Sequence, residues 1–321
     1  MDVSYRQLKI FLALAETKNA TRAAERVHLT QSAVSQAIKK LNAQLACELF
    51  LRQQNEFLLT DAGKSLYQEA NIMVAKLAQL RAHNLAQKKG FQQTLSISAL
   101  YTLAASIVPA TIFETKQAHP GLMLTLKENR VANITAGVLN GSIDVGISTD
   151  PQHPDIAFTP IFRDHLCFVC PRSHLLSHFA SLHWEDAFKH ALIAVKEGNS
   201  IRDLVNQAFT AKGLTYAPEY QAAQTATLLA MIKSGLGCAI LSSTIAFLHH
   251  TPELCFIPIT NPITYREIGL LCQHSRSSDP LITLFQDKLM TKILQWDAAE
   301  LNFITPSERP QAGPTGRPKA W

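Results

Sequence analysis

Cysteine is scarce and scattered in this chain of 321 residues, with six in all, at Cys47, Cys167, Cys170, Cys238, Cys255 and Cys272. That excludes the dense disulfide framework of a small secreted domain and agrees with a reducing compartment. A bilayer-crossing run is missing as well. The uncharged stretch from Gly90 to Phe113 has the length, at about 20 residues, but Gln92, Gln93, Thr94, Ser96, Ser98, Thr102, Ser106, Pro109 and Thr111 interrupt it, so it reads as buried strand and helix. Asp2, Arg6 and Lys9 precede a short apolar stretch that ends at Glu16 without a small-residue cleavage site. No export signal is therefore expected, and the chain is expected in the cytoplasm with no membrane partner. Gly-x-Ser-x-Gly, P-loop, His-Glu-x-x-His and dinucleotide-binding glycine patterns are all absent, which argues against an enzyme.

Two weaker signals are set aside on geometry. Cys167 and Cys170 form a lone Cys-x-x-Cys, but residues three apart on a strand point to opposite faces, and no second such pair completes a zinc site. His174, His178, His183 and His190 cluster in a stretch that reads as a surface connection, so no metal and no cofactor are expected.

What is present is apolar material and an uneven charge. Composition is 47% hydrophobic and 17% charged, enough for real cores in about two domains of roughly 150 residues. The formal charge of +5 lies in the first quarter: residues 1–90 hold 13 Lys/Arg against 7 Asp/Glu, and the remainder is close to neutral. A basic module that meets a polyanion, joined to a neutral module with another task, is the simplest reading.

Residues 1–62 read as short helices ended by turns. Leu8, Phe11, Leu12 and Ala15 recur at helical spacing, and Ala20, Ala23, Ala24 and Val27 mark a second helix. Thr30 stands as N-cap of a third, in which Val34, Ile38, Leu41 and Leu45 share one face while Ser32, Ser35, Gln36 and Lys39 share the opposite one. Small alanines that let two helices cross, an apolar stripe and an outward polar face describe a helix-turn-helix. Leu49–Arg52 and Phe57–Leu59 flank a polar tip and predict a wing. Thr60 and Asp61 then cap a long helix to about Lys89, with Leu66, Ala70, Met73, Leu77 and Leu80 spaced as a dimerisation seam. From Leu95 strands alternate with helices, which predicts parallel sheets in an α/β domain. Residues 304–321, with four prolines and two glycines, read as a flexible tail.

The N-terminal order resembles the LysR-type transcriptional regulators of bacteria. The likeness rests on Leu8 and Phe11, Ala20-Thr21-Arg22-Ala23-Ala24, Leu29-Thr30-Gln31-Ser32-Ala33-Val34-Ser35-Gln36, Leu41, Leu45, Leu49-Phe50 with Arg52, and Leu59-Thr60-Asp61-Ala62-Gly63. It continues through His119-Pro120-Gly121, Leu139 to Val145, and Gly235-Leu236-Gly237, covering about residues 3–295. The chain departs from the family pattern at Gln36, Asn42, Ala46 and the wing residues Gln54, Asn55 and Glu56. A glycine is common where Ala46 stands, and the wing is commonly basic.

The resemblance implies an all-α winged helix-turn-helix (1–62), a linker and dimerisation helix (63–90), and a two-subdomain α/β effector domain (91–303) similar to periplasmic binding proteins. Subdomain I would span about 91–162 and 268–303, and subdomain II about 163–267, with crossings near Ile161–Asp164 and Thr264–Ile268. On double-stranded DNA, Gln31 and Gln36 suit adenine edges, Ser32 and Ser35 allow close approach, and Arg22, Lys39 and Arg52 suit phosphates, with Thr30, Gln53 and Gln54 beside them. Effector positions implied by the family are Tyr101, Thr102, Arg130, Val131, Thr149, Asn199, Ser200 and Thr225, a set that suits a small anionic effector. The implied partners are DNA, a small organic effector, further copies of the chain as dimer or tetramer on an interrupted palindrome, and RNA polymerase. The alternatives are a redox-sensing regulator that uses cysteines, a solute-binding protein and an enzyme.

Overall fold

The computed structural model describes residues 3–54, 56–88, 90–91, 93–248, 251–297 and 304–306. The chain divides into two compact units, one essentially residues 1–93 and the other the remainder.

In the N-terminal unit each helix begins where a side chain can take its free amides. Ser4 and Gln7 form a reciprocal capping box at the start of α1 (Tyr5–Thr17). The Asn19 carboxamide oxygen accepts from Thr21 N and Arg22 N ahead of α2 (Ala20–Val27). Thr30 Oγ1 accepts from Ala33 N, 3.2 Å away, ahead of α3 (Gln31–Leu45). Leu8, Phe11, Leu14, Ala23, Ala24, Val34 and Leu41 are buried between the three helices. The wing is the antiparallel pair β1 (Phe50–Gln53) and β2 (Glu56–Leu59), with Phe50 opposite Leu59 and Gln53 opposite Glu56.

The long helix α4 (Asp61–Lys88) leaves the wing through a tight junction. Thr60 Oγ1 donates to the Glu48 carbonyl (2.7 Å) and accepts from Gly63 N (2.9 Å), while Thr60 N donates to the Leu49 carbonyl (3.1 Å). Gly63 is required there, because a Cβ would lie 2.1 Å from the Leu49 oxygen. The expected dimer seam divides at this end. Ala70 is fully buried, and the partly buried Leu66 packs beside it against the unit's own core. The first turns of α4 are used to hold the winged helix itself. Met73, Leu77 and Leu80 are half-exposed, and Ile72 and Leu85 join them.

The C-terminal unit begins β3 (Gln93–Ala99), α5 (Tyr101–Ala105), α6 (Ile107–Ala118), β4 (Leu122–Glu128), α7 (Val131–Leu139) and β5 (Val145–Thr149). The long strand β6 (Ile156–Pro171) follows, then β7 (Leu182–His183), α8 (Trp184–Ala187), β8 (Ile193–Val195), α9 (Ser200–Ala211), β9 (Tyr220–Ala222), α10 (Thr225–Lys233), β10 (Ala239–Ser242), α11 (Thr244–Leu248) and β11 (Leu254–Thr260). The chain returns through β12 (Tyr265–Gln273) to α12 (Pro280–Asp297) and β13 (Ile304–Pro306). The main sheet runs β4-β3-β5-β12-β6-β11-β7, with β10 and β13 also on β6.

This sheet is mixed, not parallel throughout. β3 and β5, and β11 and β7, pair in parallel, but β6 is antiparallel to β10, β11 and β12; β8 and β9 form a separate parallel pair. The reason is that β6 and β12 carry the chain out to a second core and back. One apolar core gathers Leu95 to Phe162 and Ile268 to Ile293, and the other gathers Leu166 to Ile259. Residues 304–306 correct the reading of a wholly flexible tail: Ile304, Thr305 and Pro306 pair with Asp164, Arg163 and Phe162. An edge of β6 at the crossover offers unpaired backbone groups, and a β-prone Ile-Thr dipeptide takes them. Residues 307–321 lie outside the described residues.

Candidate functional site

The polar face of α3 is fully open. Gln31, Ser32, Ser35, Gln36 and Lys39 are exposed, as are Arg22 on α2 and Arg52, Gln53 and Gln54 on the wing. Thr30 is exposed too, but its hydroxyl is occupied by the cap and by Ser32 Oγ at 3.0 Å. Gln54 turns the wing tip with a left-handed backbone, φ 45°, and the Arg52 guanidinium leans over the Phe57 ring at 5.9 Å. A groove between α1 and α3 brings Arg6 and Lys40 beside Gln36. Both were missed from sequence: Lys40 stands one turn after Gln36 on α3, a spacing that sequence does report, whereas the approach of Arg6 is set by helix packing. The surface thus offers amides and hydroxyls at the start of one helix, flanked by cations, which suits base edges and phosphates respectively.

In the C-terminal unit a cleft opens between the two cores. Seven of the eight expected effector residues line it: Tyr101, Thr102, Arg130, Val131, Asn199, Ser200 and Thr225. Thr149 does not line it; this residue ends β5 in register with Ile268. Leu100, Gly198, Gln224, Ile245 and Arg266 line the cleft and were missed.

Helix starts dominate the walls. The first residues of α7, α9 and α10 all face the cleft, with those of the short α5 beside them. Asn199 Oδ1 caps Ile201 N at 2.9 Å, whereas α5 and α10 begin with no side-chain cap. Their first amides remain available to an anion. Arg130 stands against Gly198, where a Cβ would come 3.2 Å from Nη1; with φ +79° at Gly198, glycine both makes the turn and leaves the guanidinium its space. Among the described residues, no aspartate or glutamate lines the cleft.

At its floor lies a buried ion pair between the two crossover strands. Asp164 on β6 is fully buried and Arg266, directly opposite on β12, is 6% exposed. Arg266 Nη2 and Nε approach Asp164 Oδ2 at 2.7 and 2.9 Å, and Nη1 donates to Ser200 Oγ at 2.9 Å. The carboxylate also accepts from Ser243 Oγ (2.9 Å), Thr244 N (3.1 Å) and Thr244 Oγ1 (3.2 Å). Each buried charge is therefore matched and hydrogen-bonded, the condition under which such a pair is tolerated. The pair joins both connections to the start of α9, at the wall of the cleft.

No cysteine or histidine among the described residues lines the cleft. Cys170 is in register with Cys255, and Cys238 immediately precedes the β10 residue paired with Val169, so the three thiols form a row across β10, β6 and β11. Sheet register, which local sequence does not report, places both Cys238 and Cys255 beside Cys170, one on each side of β6. Burial pushes the Cys170 thiol up to about 12, helped by its two neighbours, and Cys238 up to about 11. His174 pairs with His190, ring to ring at 4.8 Å, and not with His178. No group of three or more metal-ligating side chains occurs among the described residues. No helix among them is long and apolar enough to cross a membrane.

Comparison with known proteins bears on both units. Residues 5–64 match the bacterial regulatory helix-turn-helix of the LysR family, and residues 88–292 match the LysR substrate binding domain. The uncharacterized HTH-type transcriptional regulator YvbU of Bacillus subtilis is 28% identical over 87% of this chain and 95% of its own. The regulator CysL of the same organism is 23% identical over 91% and 99%. Among solved structures, CbnR, a LysR family transcriptional regulator, superposes with a TM-score of 0.61 at 22% identity, covering 90% of this chain and 99% of its own. CbnR complexed with its target DNA gives the same TM-score over 90% and 100%. The chain belongs to the LysR family and is a DNA-binding transcriptional regulator with a substrate-binding domain.

Proposed function

We propose that this regulator acts in the cytoplasm as a dimer or tetramer on an interrupted palindrome, and that a small organic anion in the cleft between subdomains I and II controls its promoter. One observation carries the effector reading: several helix N-termini and the Arg130 guanidinium face a cleft whose lining, among the described residues, holds no carboxylate, while the charge of Arg266 is matched by Asp164 behind it. Such a wall attracts negative charge and offers amide and hydroxyl donors to bind it. Closure over the anion would act on β6 and β12, alter the spacing of the paired winged helices, and so change DNA bending and access for RNA polymerase. The exposed Met73, Leu77 and Leu80 are the seam we assign to pairing of α4 with a second copy.

Calorimetry of the full chain against a panel of organic acids tests the cleft. A binder should lose at least tenfold in affinity in Thr102→Val with Ser200→Ala; undiminished affinity in that variant rejects the assignment. Fluorescence anisotropy on operator and random DNA tests the reading head. Gln31→Ala should weaken operator binding more than random binding, and equal losses reject direct readout.

A further inference from the structure

The core-facing side of α9 carries Ile201, Val205 and Phe209, and among them a charge. Arg202 is 5% exposed, and its Nε and Nη1 are buried with no hydrogen-bond partner. Its guanidinium carbon lies 4.3 Å from the centroid of the Tyr216 ring, which packs in turn on Phe209. Burial pushes the Tyr216 phenol up to about 12, so at neutral pH that ring supplies a quadrupole and no counter-charge. Asp203 follows in sequence but is exposed and makes no ion pair with Arg202. The contrast with Arg266, buried to the same degree and fully matched by Asp164, is direct.

An unmatched buried cation is costly, and the first turn of a helix is the wrong end of the dipole for a positive side chain. The Tyr216 ring holds the guanidinium but supplies no counter-charge, so local stability accounts for only part of the choice of an arginine at this position. Its place accounts for more: Ser200 and Ile201, the two residues before it, line the cleft. We propose that Arg202 is a specificity-determining residue that charges the cleft from behind. It reinforces the positive start of α9 without touching the ligand and sets the preference for anions over neutral molecules of the same shape. The proposal deepens the effector reading of the cleft and rests on it for its biological meaning. A charge left unneutralised in the interior is weakly screened, so its field carries over several ångströms to the wall. For a separation of about 10 Å and an effective dielectric near 20, the effect is about tenfold on a single negative charge and zero on a neutral group.

The test reads the field without knowing the effector. Ser200→Cys places a thiol on the cleft wall, and the pH dependence of its alkylation by iodoacetamide in the full chain, followed on its own peptide by mass spectrometry, gives its pKa. Adding Arg202→Met should raise that pKa by about one unit, a tenfold loss of thiolate, whereas Arg202→Lys should leave it in place. The thermal midpoint should hold or rise in Arg202→Met, since an unmatched charge is removed; should that variant fold poorly, Arg202→Gln serves the same comparison. An unchanged thiol pKa in the neutral variants, or the same rise in Arg202→Lys, overturns the proposal. A shifted thiol in a protein that binds no organic acid would uphold the field of Arg202 and reject the effector reading instead.

Discussion

Replacing Gly63 by alanine should damage the junction between wing and linker helix, and its magnitude can be worked from the contacts. The new Cβ would stand 2.1 Å from the Leu49 carbonyl oxygen and 3.0 Å from Leu59 Cδ2. Relief to ordinary contact requires more than 1 Å of movement by backbone that also receives the Thr60 N–H. Overpacking of this kind costs about 1–3 kcal/mol, and loss of the Thr60 hydrogen bond adds about 1 kcal/mol. Alanine returns about 1 kcal/mol through its better helix propensity. The net is a destabilisation of about 1–3 kcal/mol, or a fall of about 5–20 °C in the melting of the N-terminal unit. Thermal and urea unfolding of the full chain, with DNA anisotropy alongside, would measure it. A Gly63→Ala protein as stable as the parent would refute the claim that this glycine is held by close approach.

Three further outcomes are expected. Asp164→Asn leaves Arg266 buried and unmatched and should cost about 3–5 kcal/mol, seen as a lower urea midpoint for the C-terminal unit; a midpoint within about 0.5 M of the parent contradicts the matched-pair account. His174 has its imidazole pKa lowered by burial first and by His190 second, and its Nδ1 accepts from Leu176 N. Its folded pKa lies below the unfolded value near 6.5, so its contribution is present above that pH and lost as pH falls below it; His174→Phe should flatten this part of the stability profile, and an unaltered profile removes His174 from it. Because burial raises the thiols of Cys170 and Cys238, native protein should react with iodoacetamide at the partly exposed Cys47 first. Rapid formation of a Cys170–Cys255 disulfide under mild peroxide would favour the redox-sensing alternative.

The N-terminal unit was legible because its signals are local. Thr30 caps where its spacing to Val34 and Ile38 said it would, and the wing follows from two apolar triplets around a polar tip. Even the departure at Ala46 has a local cause: it ends α3 at φ 52°, a left-handed residue for which glycine is the cheaper choice. Residues that depend on register were not legible. Arg266 reaches the cleft because it lies opposite Asp164 on a neighbouring strand 102 positions away. The thiol row has the same origin, and so does the absence of Thr149 from the cleft. Leu66 and Ala70 fit a heptad, but a heptad does not say whether its partner is another helix or the chain's own core.

The crossover strands have a consequence for how such a protein changes over time. Because the chain leaves one core through β6 and returns through β12, the segment between them is an insertion with both ends side by side in a paired ribbon. A module so attached can be exchanged for that of a relative at two adjacent cut points, without altering the path of the host core or the DNA-reading segment upstream. Ser200, Gln224 and Thr225 would travel with the graft, whereas Thr102 and Arg130 would stay behind. Half of the recognition chemistry could then be replaced while the other half, and the operator, were held constant.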